Sequence, residues 1–413
     1  MPARNAMIPN VGPRDGSLDK LVLLGKNLLR FGAFLLLDLL LLDLLVLRSR
    51  RRDAGGRLLL VRLDAIGDYV LFRNFLEALR TAGPYRDHSI TLVGNEAWRA
   101  LAERLDADWI DAFIWVDRRR MMRDARYRVR KLREIAAQDF ELVVHPTFSR
   151  EFFFGDWICR VARATRKIGS AGNLGNLAPW QKAIADRWYT RLLDAAEGTK
   201  FEYLRNEEFF AALLGAAGHS PGLRIRATGL ESKLPVPAPV FILCPGASVG
   251  WKKWPADSFG KLAHRIREAY GAGIVLLGGP GDAADAQAVL ANGPPGILDL
   301  TGRTSLVDLV AAMSGCACVV ANDSAPAHIA AALGVPAVVV TNGNHLGRFF
   351  PYPPGFAPNC RTVLHPWVEE HYDLCDREAR AGEFLSRLDM RGIPVERVER
   401  AVHEALSAAS ARP

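Results

Sequence analysis

Five short stretches of this chain put ionisable or small residues where an α/β loop can hold an anion. The first, Val61 to Leu71, reads VRLDAIGDYVL: an apolar run, one glycine in an expected tight turn, then Asp68 near the expected start of a helix. The positive end of a helix keeps a carboxylate ionised, as a general base must be before it takes a proton. The same position also suits an aspartate that does nothing but cap backbone N–H groups. The second, Cys244 to Phe259, reads CPGASVGWKKWPADSF. Gly246, Ser248 and Gly250 allow close backbone approach to an anion, and Lys252 and Lys253 are point charges for phosphate. Solvated lysines on a surface loop would read the same way. The third, Leu276 to Asp282, places Gly279 in a glycine-rich turn, and the fourth, Asp299 to Met313, places Thr304 in a turn with Ser305 near a helix cap.

The fifth, Val319 to Pro336, reads VVANDSAPAHIAAALGVP. A strand breaks at Asn322, Asp323 and Ser324, and a small-residue helix opens near Pro326. The backbone at Ala325, the Ser324 hydroxyl, the Asp323 carboxylate and His328 one turn on form a set that suits a sugar diphosphate. N–H and hydroxyl groups serve phosphate, and the carboxylate serves sugar hydroxyls. A histidine on a helix can equally be structural. No G-x-G-x-x-G follows the first strand, so a dinucleotide fingerprint is absent there.

The elements that must position these residues alternate. Short apolar runs at Arg57–Arg62, Ser89–Val93, Phe113–Val116 and Glu141–Val144 read as buried parallel strands. Helical spacing follows Gly67 and recurs over Glu96–Leu105 and about Arg123–Gln138. Pro235 to Pro239 (PVPAP) is a linker, and a second series begins at once. Its strands are Val240–Leu243, Gly273–Leu277, Cys318–Val320 and Pro336–Val340; its helices are Pro255–Tyr270, one from Asp282, Ala325–Leu333 and Val395–Leu406. The expected fold class is α/β, with two Rossmann-like domains facing across a cleft and ligands at the carboxyl ends of the strands. The expected divisions are a start and hydrophobic helix over 1–54, an N-terminal acceptor domain over 55–234, a nucleotide-sugar domain over 235–380 and a helical segment over 381–413.

Composition sets further bounds. The 413 residues are 49% apolar, enough for substantial cores, and carry a formal net charge of +8. Arginines cluster at 48–52 and again from Arg118 to Arg130; such clusters suit anionic partners or, in the second case, a solvated helix face. The six cysteines form no C-x-x-C pair and no zinc spacing, which points to a reducing compartment. Phe31 to Leu47 reads FGAFLLLDLLLLDLLVL between basic flanks. Its thirteen large apolar residues contribute roughly −4 to −8 kcal/mol to insertion, against about 5 to 7 for Asp38 and Asp43. The segment is poised between spanning a bilayer and lying on an anionic membrane surface; a helix buried on the protein or a partner is the other reading.

Taken in order, these five segments resemble glycosyltransferase family 9, the ADP-heptose:lipopolysaccharide heptosyltransferases and their relatives. The resemblance runs roughly from Arg57 to Asn344 and rests on the G-D turn, the K-x-W-P segment and the N-D-S-x-P-x-H segment. It implies a GT-B fold and inverting transfer from a nucleotide sugar, ADP-heptose above all, with no obligatory metal and no separate cofactor. It implies that Asp68 is the base, that Lys252 binds phosphate, that Asp323 holds sugar hydroxyls, and that Ser324, Ala325 and His328 form the phosphate-facing helix start. Gly246, Ser248, Gly279 and Thr304 join the donor side. Arg62, His145 and Arg150, at strand ends of the first domain, are the acceptor candidates.

The implied acceptor is a lipopolysaccharide or other lipid-linked surface glycan at the cytoplasmic face of the bacterial inner membrane, and no nucleic-acid partner is expected. Three features depart from the family: His145 stands where relatives often carry an acidic residue; the loop after Val340, TNGNHLGRFFPYPP, is rich in aromatic and polar groups; and the hydrophobic N-terminal extension is unusual for the better-known members. Asp106-Ala107-Asp108 has the spacing of a metal-binding pair but falls between a helix and a strand, and is read as a loop. A sugar-nucleotide 2-epimerase of the same architecture and a non-catalytic glycan-assembly scaffold are the competing readings.

Overall fold

The computed structural model describes residues 54–410 except 82, 216–221, 231, 232 and 383, together with Leu29, Gly32 and Leu36. The expected hydrophobic helix over 31–47 and the basic run after it lie outside the described residues, those isolated positions aside. Among the described residues no helix is long and apolar enough to cross a membrane. The chain forms two compact units. One comprises residues up to 196 together with 203–215, and the other residues 197–202 and those from 222 onward.

The first unit is built on six strands: β1 (Arg57–Arg62), β2 (Ser89–Asn95), β3 (Ala112–Val116), β4 (Asp139–His145), β5 (Arg163–Ser170) and β6 (Arg191–Leu193). They pair in the order β3-β2-β1-β4-β5-β6, every pair parallel. Central strands are apolar on both faces, as a doubly covered parallel sheet demands; Leu58, Leu59, Leu60 and Val61 are fully buried. The covering helices are α1 (Ile66–Phe72), α2 (Asn74–Thr81), α3 (Arg99–Leu105), α4 (Arg118–Arg123), α5 (Ala125–Ala136), α6 (Trp157–Val161), α7 (Pro179–Ala185) and α8 (Glu202–Leu214).

The second unit repeats the plan. Its strands are β7 (Val240–Cys244), β8 (Gly273–Leu276), β9 (Leu298–Asp299), β10 (Cys318–Asn322), β11 (Ala337–Thr341) and β12 (Cys360–Leu364), in the order β12-β11-β10-β7-β8-β9. Counted from its own first strand, each sheet has the order 3-2-1-4-5-6 of the dinucleotide-binding fold, with its switch point between first and fourth strands. Helices α9 (Ala256–Tyr270), α10 (Ala283–Asn292), α11 (Leu306–Ser314), α12 (Ala325–Leu333), α13 (Pro366–Glu370), α14 (Tyr372–Ala381) and α15 (Val395–Ser410) complete it. The apolar stripe of α15, Val395, Val398 and Val402, is buried in the core around β7 and β10.

Four strands, β5, β6, β9 and β12, have no counterpart in the sequence-based reading. All lie toward the outer side of their sheets, where burial and so the apolar signal is weaker; in β5 (RATRKIGS) Thr165 and Arg166 are exposed and Arg163 and Lys167 half-buried before the buried end Ile168–Ser170.

Asp106 of the Asp-x-Asp pair is fully buried. It accepts hydrogen bonds from the Tyr69 hydroxyl and from Arg73, whose Nη2 lies 2.7 Å from Oδ1. Tyr69 in turn stacks on Trp98, with ring centroids 4.4 Å apart. This carboxylate therefore ties α1 and the residue after it to the end of α3, while Asp108 is exposed. Removing one partner of a buried ion pair costs about 3–5 kcal/mol, and a typical surface change less than about 0.5 kcal/mol. Asp106→Ala is expected to lower unfolding free energy by that larger amount and Asp108→Ala to leave it nearly unchanged, as read from urea denaturation.

Candidate functional site

In the first unit, β1 ends at Arg62 and three residues later the chain enters α1. The helix begins at Ile66, not near Asp68, so Gly67 lies within its first turn. The N-cap is Ala65, which has no side-chain oxygen to offer. Asp68 is thus not the cap residue. It sits in the first turn, half-buried, where the helix dipole favours its ionised form.

Around the ends of β1 and β4 the polar groups interlock. Arg62 Nε pairs with Asp64 Oδ2 at 2.6 Å and its Nη1 donates to Asn206 Oδ1 at 3.0 Å. The backbone carbonyl of Asp64 accepts from Trp98 Nε1 at 3.1 Å. Arg118 donates to the Leu63 carbonyl at 2.8 Å and pairs with Glu151 at 2.7 Å. Burial raises the Glu151 carboxyl above its ordinary range against the pull of Arg118, with Asp64 and Asp156 adding to the rise.

The acceptor candidates Arg62, His145 and Arg150 are buried. The Tyr189 hydroxyl donates to Asp156 Oδ1 at 2.6 Å and therefore accepts from His145 Nδ1, 2.7 Å away. Burial, with Arg150 and Arg62 nearby, drives the His145 pKa far down, so its ring is neutral. Arg150 bridges Asp156 and Asp186. A Cβ on Gly155 would stand 2.4 Å from His145 Nε2, so only glycine lets that segment close over the ring. All three side chains are thus parts of the unit's internal framework, and what lies nearer the surface at this sheet edge is Asp64 and Asp68.

In the second unit the donor candidates converge on the ends of β7 and β10. Lys252 Nζ lies 2.8 Å from Asp323 Oδ2, and both side chains are largely withdrawn from water (11% and 6% exposed). Asn322 fixes this pair from behind. Its Oδ1 accepts from the Trp254 backbone at 2.9 Å, and its Nδ2 donates to the Pro245 carbonyl at 2.8 Å. Trp254, the tryptophan of K-x-W-P, is buried and donates through Nε1 to the Ile393 carbonyl at 3.0 Å. Ser324 caps α12 in extended backbone but donates its hydroxyl to the Asn322 carbonyl, leaving the first turn without a side-chain cap. Ala325 opens the helix beside it.

His328 stands one turn on, stacked on Phe350 with centroids 4.6 Å apart. The Tyr352 hydroxyl lies 2.7 Å from its Nδ1. A phenol donates its proton, and Nδ1 is the acceptor in reach, so the neutral ring carries its own proton on Nε2. Burial first, then Lys252, lowers the His328 pKa to about 3.

The glycine-rich loops meet elsewhere in the same edge. The Gly279 N–H donates to Asp282 Oδ2 at 2.9 Å, and a Cβ on Gly246 would stand 2.3 Å from the Asp282 carboxylate. Lys253 pairs with Asp285 at 2.5 Å rather than joining Lys252. Ser248 is exposed and Thr304 half-buried. Ser305 makes a reciprocal cap with Asp308, whose N–H donates to Ser305 Oγ at 3.2 Å.

Comparisons with known proteins bear on this second unit most directly. Residues 187–354 match the family model described as glycosyltransferase family 9 (heptosyltransferase). This stretch is similar to that family. It holds every donor candidate named above. Lipopolysaccharide heptosyltransferase 2 of Salmonella typhimurium is 32% identical over 126 residues, covering 29% of this chain and 33% of the relative. Lipooligosaccharide heptosyltransferase 2 of Haemophilus influenzae is 32% identical over 107 residues, covering 25% and 31%. The matched part is thus about a third of the length of these curated relatives.

Among solved structures, the family 9 glycosyltransferase of Veillonella parvula superposes with a TM-score of 0.65 at 20% identity over 87% of this chain and 99% of that one. The E. coli ADP-heptose lipopolysaccharide heptosyltransferase II gives 0.60 at 18% identity over 86% and 100%. The E. coli heptosyltransferase WaaC with ADP-2-deoxy-2-fluoro heptose gives 0.62 at 18% identity over 84% and 99%. These likenesses carry the two-domain fold.

Sequence reasoning missed Tyr352, Phe350, Asp282 and the cross-linking role of Asn322. The aromatic loop signalled the first two, but nothing in their spacing pointed them at His328.

An unfolded histidine titrates near 6.5, whereas native His328 holds off protonation to about 3. Between these values the unfolded chain binds the extra proton, so acid destabilises the fold. Stability is expected to fall as pH drops below about 6.5, and His328→Gln to flatten that fall in denaturation curves. Nitrogen-15 spectra of labelled histidine should show His328 neutral and Nε2-protonated from about pH 8 to 5, a window set by its reference value.

Proposed function

We propose that this chain is an inverting, metal-independent glycosyltransferase of the GT-B type. It moves a heptose from ADP-heptose to a lipopolysaccharide or other lipid-linked surface glycan at the cytoplasmic face of the bacterial inner membrane. The observation that carries the reading is the Lys252–Asp323 pair beside the uncapped start of α12 and the neutral ring of His328, within the stretch similar to family 9. That edge combines a cation, backbone N–H donors, a carboxylate and a neutral imidazole N–H, the groups a sugar diphosphate asks for. The names of similar proteins support heptose as the sugar and ADP as the carrier.

In this reading Asp68 takes the proton of an acceptor hydroxyl. The resulting oxygen attacks the anomeric carbon on the side opposite the nucleotide, and the bond to the diphosphate oxygen breaks. The leaving diphosphate gains negative charge, which Lys252 and the N–H groups of Ser324 and Ala325 stabilise. Asp323, released from Lys252 as phosphate takes its place, accepts hydrogen bonds from the sugar. Because a cation and a helix terminus supply the counter-charge, the step has no chemical need of a metal. The hydrophobic segment over 31–47, flanked by Arg48 to Arg52, brings the enzyme to the lipid-borne acceptor.

Incubation with a panel of nucleotide sugars tests the proposal: sugar transfer, or slow donor hydrolysis without acceptor, is expected, and epimerisation or no reaction would contradict it. Asp68→Asn should reduce kcat by roughly 10²–10⁴-fold with ADP affinity within about twofold of the parent, as separate kinetic and calorimetric readings. Lys252→Ala should weaken ADP binding by about 1.5–3 kcal/mol, the range for a hydrogen bond to a charged group. Deleting residues 1–52 should shift part of the protein from the membrane to the soluble fraction on cell fractionation.

A further inference from the structure

Charge is distributed very unevenly along this chain. Between Arg118 and Ala136 stand nine cations and two carboxylates, a net of +7 where all 413 residues together carry +8. The segment folds as two short consecutive helices, α4 and α5, each capped by an aspartate. Asp117 accepts from the N–H groups of Arg119 and Arg120, and Asp124 from that of Tyr127.

The helices sort their cations by face. Met121, Tyr127, Leu132 and Ile135 fill the core beneath. The cations that point inward have partners: Arg128 is fully buried and donates to the Phe153 carbonyl at 3.1 Å, and Arg118 joins Leu63 and Glu151. Arg119, Arg120, Arg123, Arg126, Arg130 and Arg133 are all exposed. Asp124 faces Arg120 at 3.4 Å and Glu134 faces Lys131 at 2.9 Å, and with these two carboxylates the segment itself still carries its net +7.

Like charges crowded on a folded surface repel one another and lower its stability. Packing alone does not ask for them, since solvent-facing helix positions accept carboxylates equally well. We infer that the exposed face of α4 and α5 is a docking surface for the anionic headgroups of a lipid bilayer. Two observations favour lipid over nucleic acid. Tyr127, the one aromatic residue between Arg118 and Ala136, is buried, and the guanidiniums of Arg120 and Arg130 lie 4.5 and 5.4 Å from its ring centroid, so no platform for base stacking is offered. The same sequence also carries the apolar run Phe31–Leu47 with its own arginines at 48 and 50–52, a second lipid-suited element.

α4 begins at the carboxyl end of β3, and Arg118 reaches the Leu63 carbonyl in the loop that leads to Asp68. A bilayer bound to this face lies at the same sheet edge as that carboxylate. The inference rests on charge and packing and does not depend on the transferase reading.

The test is co-sedimentation of the full-length chain with vesicles of phosphatidylcholine alone and of phosphatidylcholine mixed with phosphatidylglycerol. Each cation near an anionic surface is worth about fivefold in partitioning. Arg119, Arg123, Arg126 and Arg130, all changed to Ser, should therefore lower binding to the anionic vesicles at least tenfold, to the order set by several such cations. Raising salt from about 0.1 to 1 M, which shrinks the screening length from about 10 to 3 Å, should erase the difference, and binding to neutral vesicles should be unaffected. Circular dichroism and a urea midpoint check that the variant folds. If it does not, the four single variants, each losing up to about fivefold, give the same reading. Equal binding of parent and folded variant to anionic vesicles overturns the inference. So does displacement of the parent from those vesicles by a DNA duplex at matched phosphate concentration, which would assign the face to nucleic acid.

Discussion

The ion pair between Lys252 and Asp323 is the constraint on which the candidate donor site depends. A lysine and an aspartate so far withdrawn from water are tolerable only while each has the other. Three strand-end features make this so. Asn322 ties β10 to the end of β7 and to the Trp254 backbone; Trp254 wedges into the core; and the hydroxyl of Ser324 turns back onto the Asn322 carbonyl. The lysine is thereby presented at the uncapped start of α12, where an incoming diphosphate can take over its charge and free the carboxylate for another task. In the proposed reading the site is preorganised for exchange of one anion for another, with the cost of desolvating the lysine met before any ligand arrives.

How much of this is legible in the sequence depends on what carries each feature. The central strands announce themselves because both faces are buried, so RLLLVR and VFILC are continuous apolar runs. The outer strands do not, since β9 is two residues long and the first five residues of β5 hold three cations, exposed or half-buried. Lys252, Asp323 and Ser324 are legible because they belong to short motifs whose residue types fit an anion. Asp68 is legible as a first-turn carboxylate, but the helix starts two residues earlier than the glycine suggests, and that difference decides that it is not the cap.

Long-range partners were beyond reach of spacing. His328 and Tyr352 are separated by 24 residues, and their hydrogen bond is made by a loop conformation, not by periodicity. Arg150 and His145 read as acceptor candidates at a strand end, yet both are buried, and Gly155 of the segment Phe152–Val161 closes over the His145 ring. Only three-dimensional closure turns candidate ligands into framework. The reverse holds for α4 and α5: their charge was plain in the sequence, but the division between inward, partnered arginines and an outward cationic face needed the fold.

The central claim is that a nucleoside diphosphate replaces Asp323 as the partner of Lys252. A crystal structure of the chain soaked with ADP tests it most directly. The account predicts a phosphate oxygen within hydrogen-bond distance, about 2.7–3.2 Å, of Lys252 Nζ and of the backbone N–H groups at the start of α12, with the Asp323 carboxylate turned away. ADP bound elsewhere on the chain, or bound here with the Lys252–Asp323 pair intact, would contradict it.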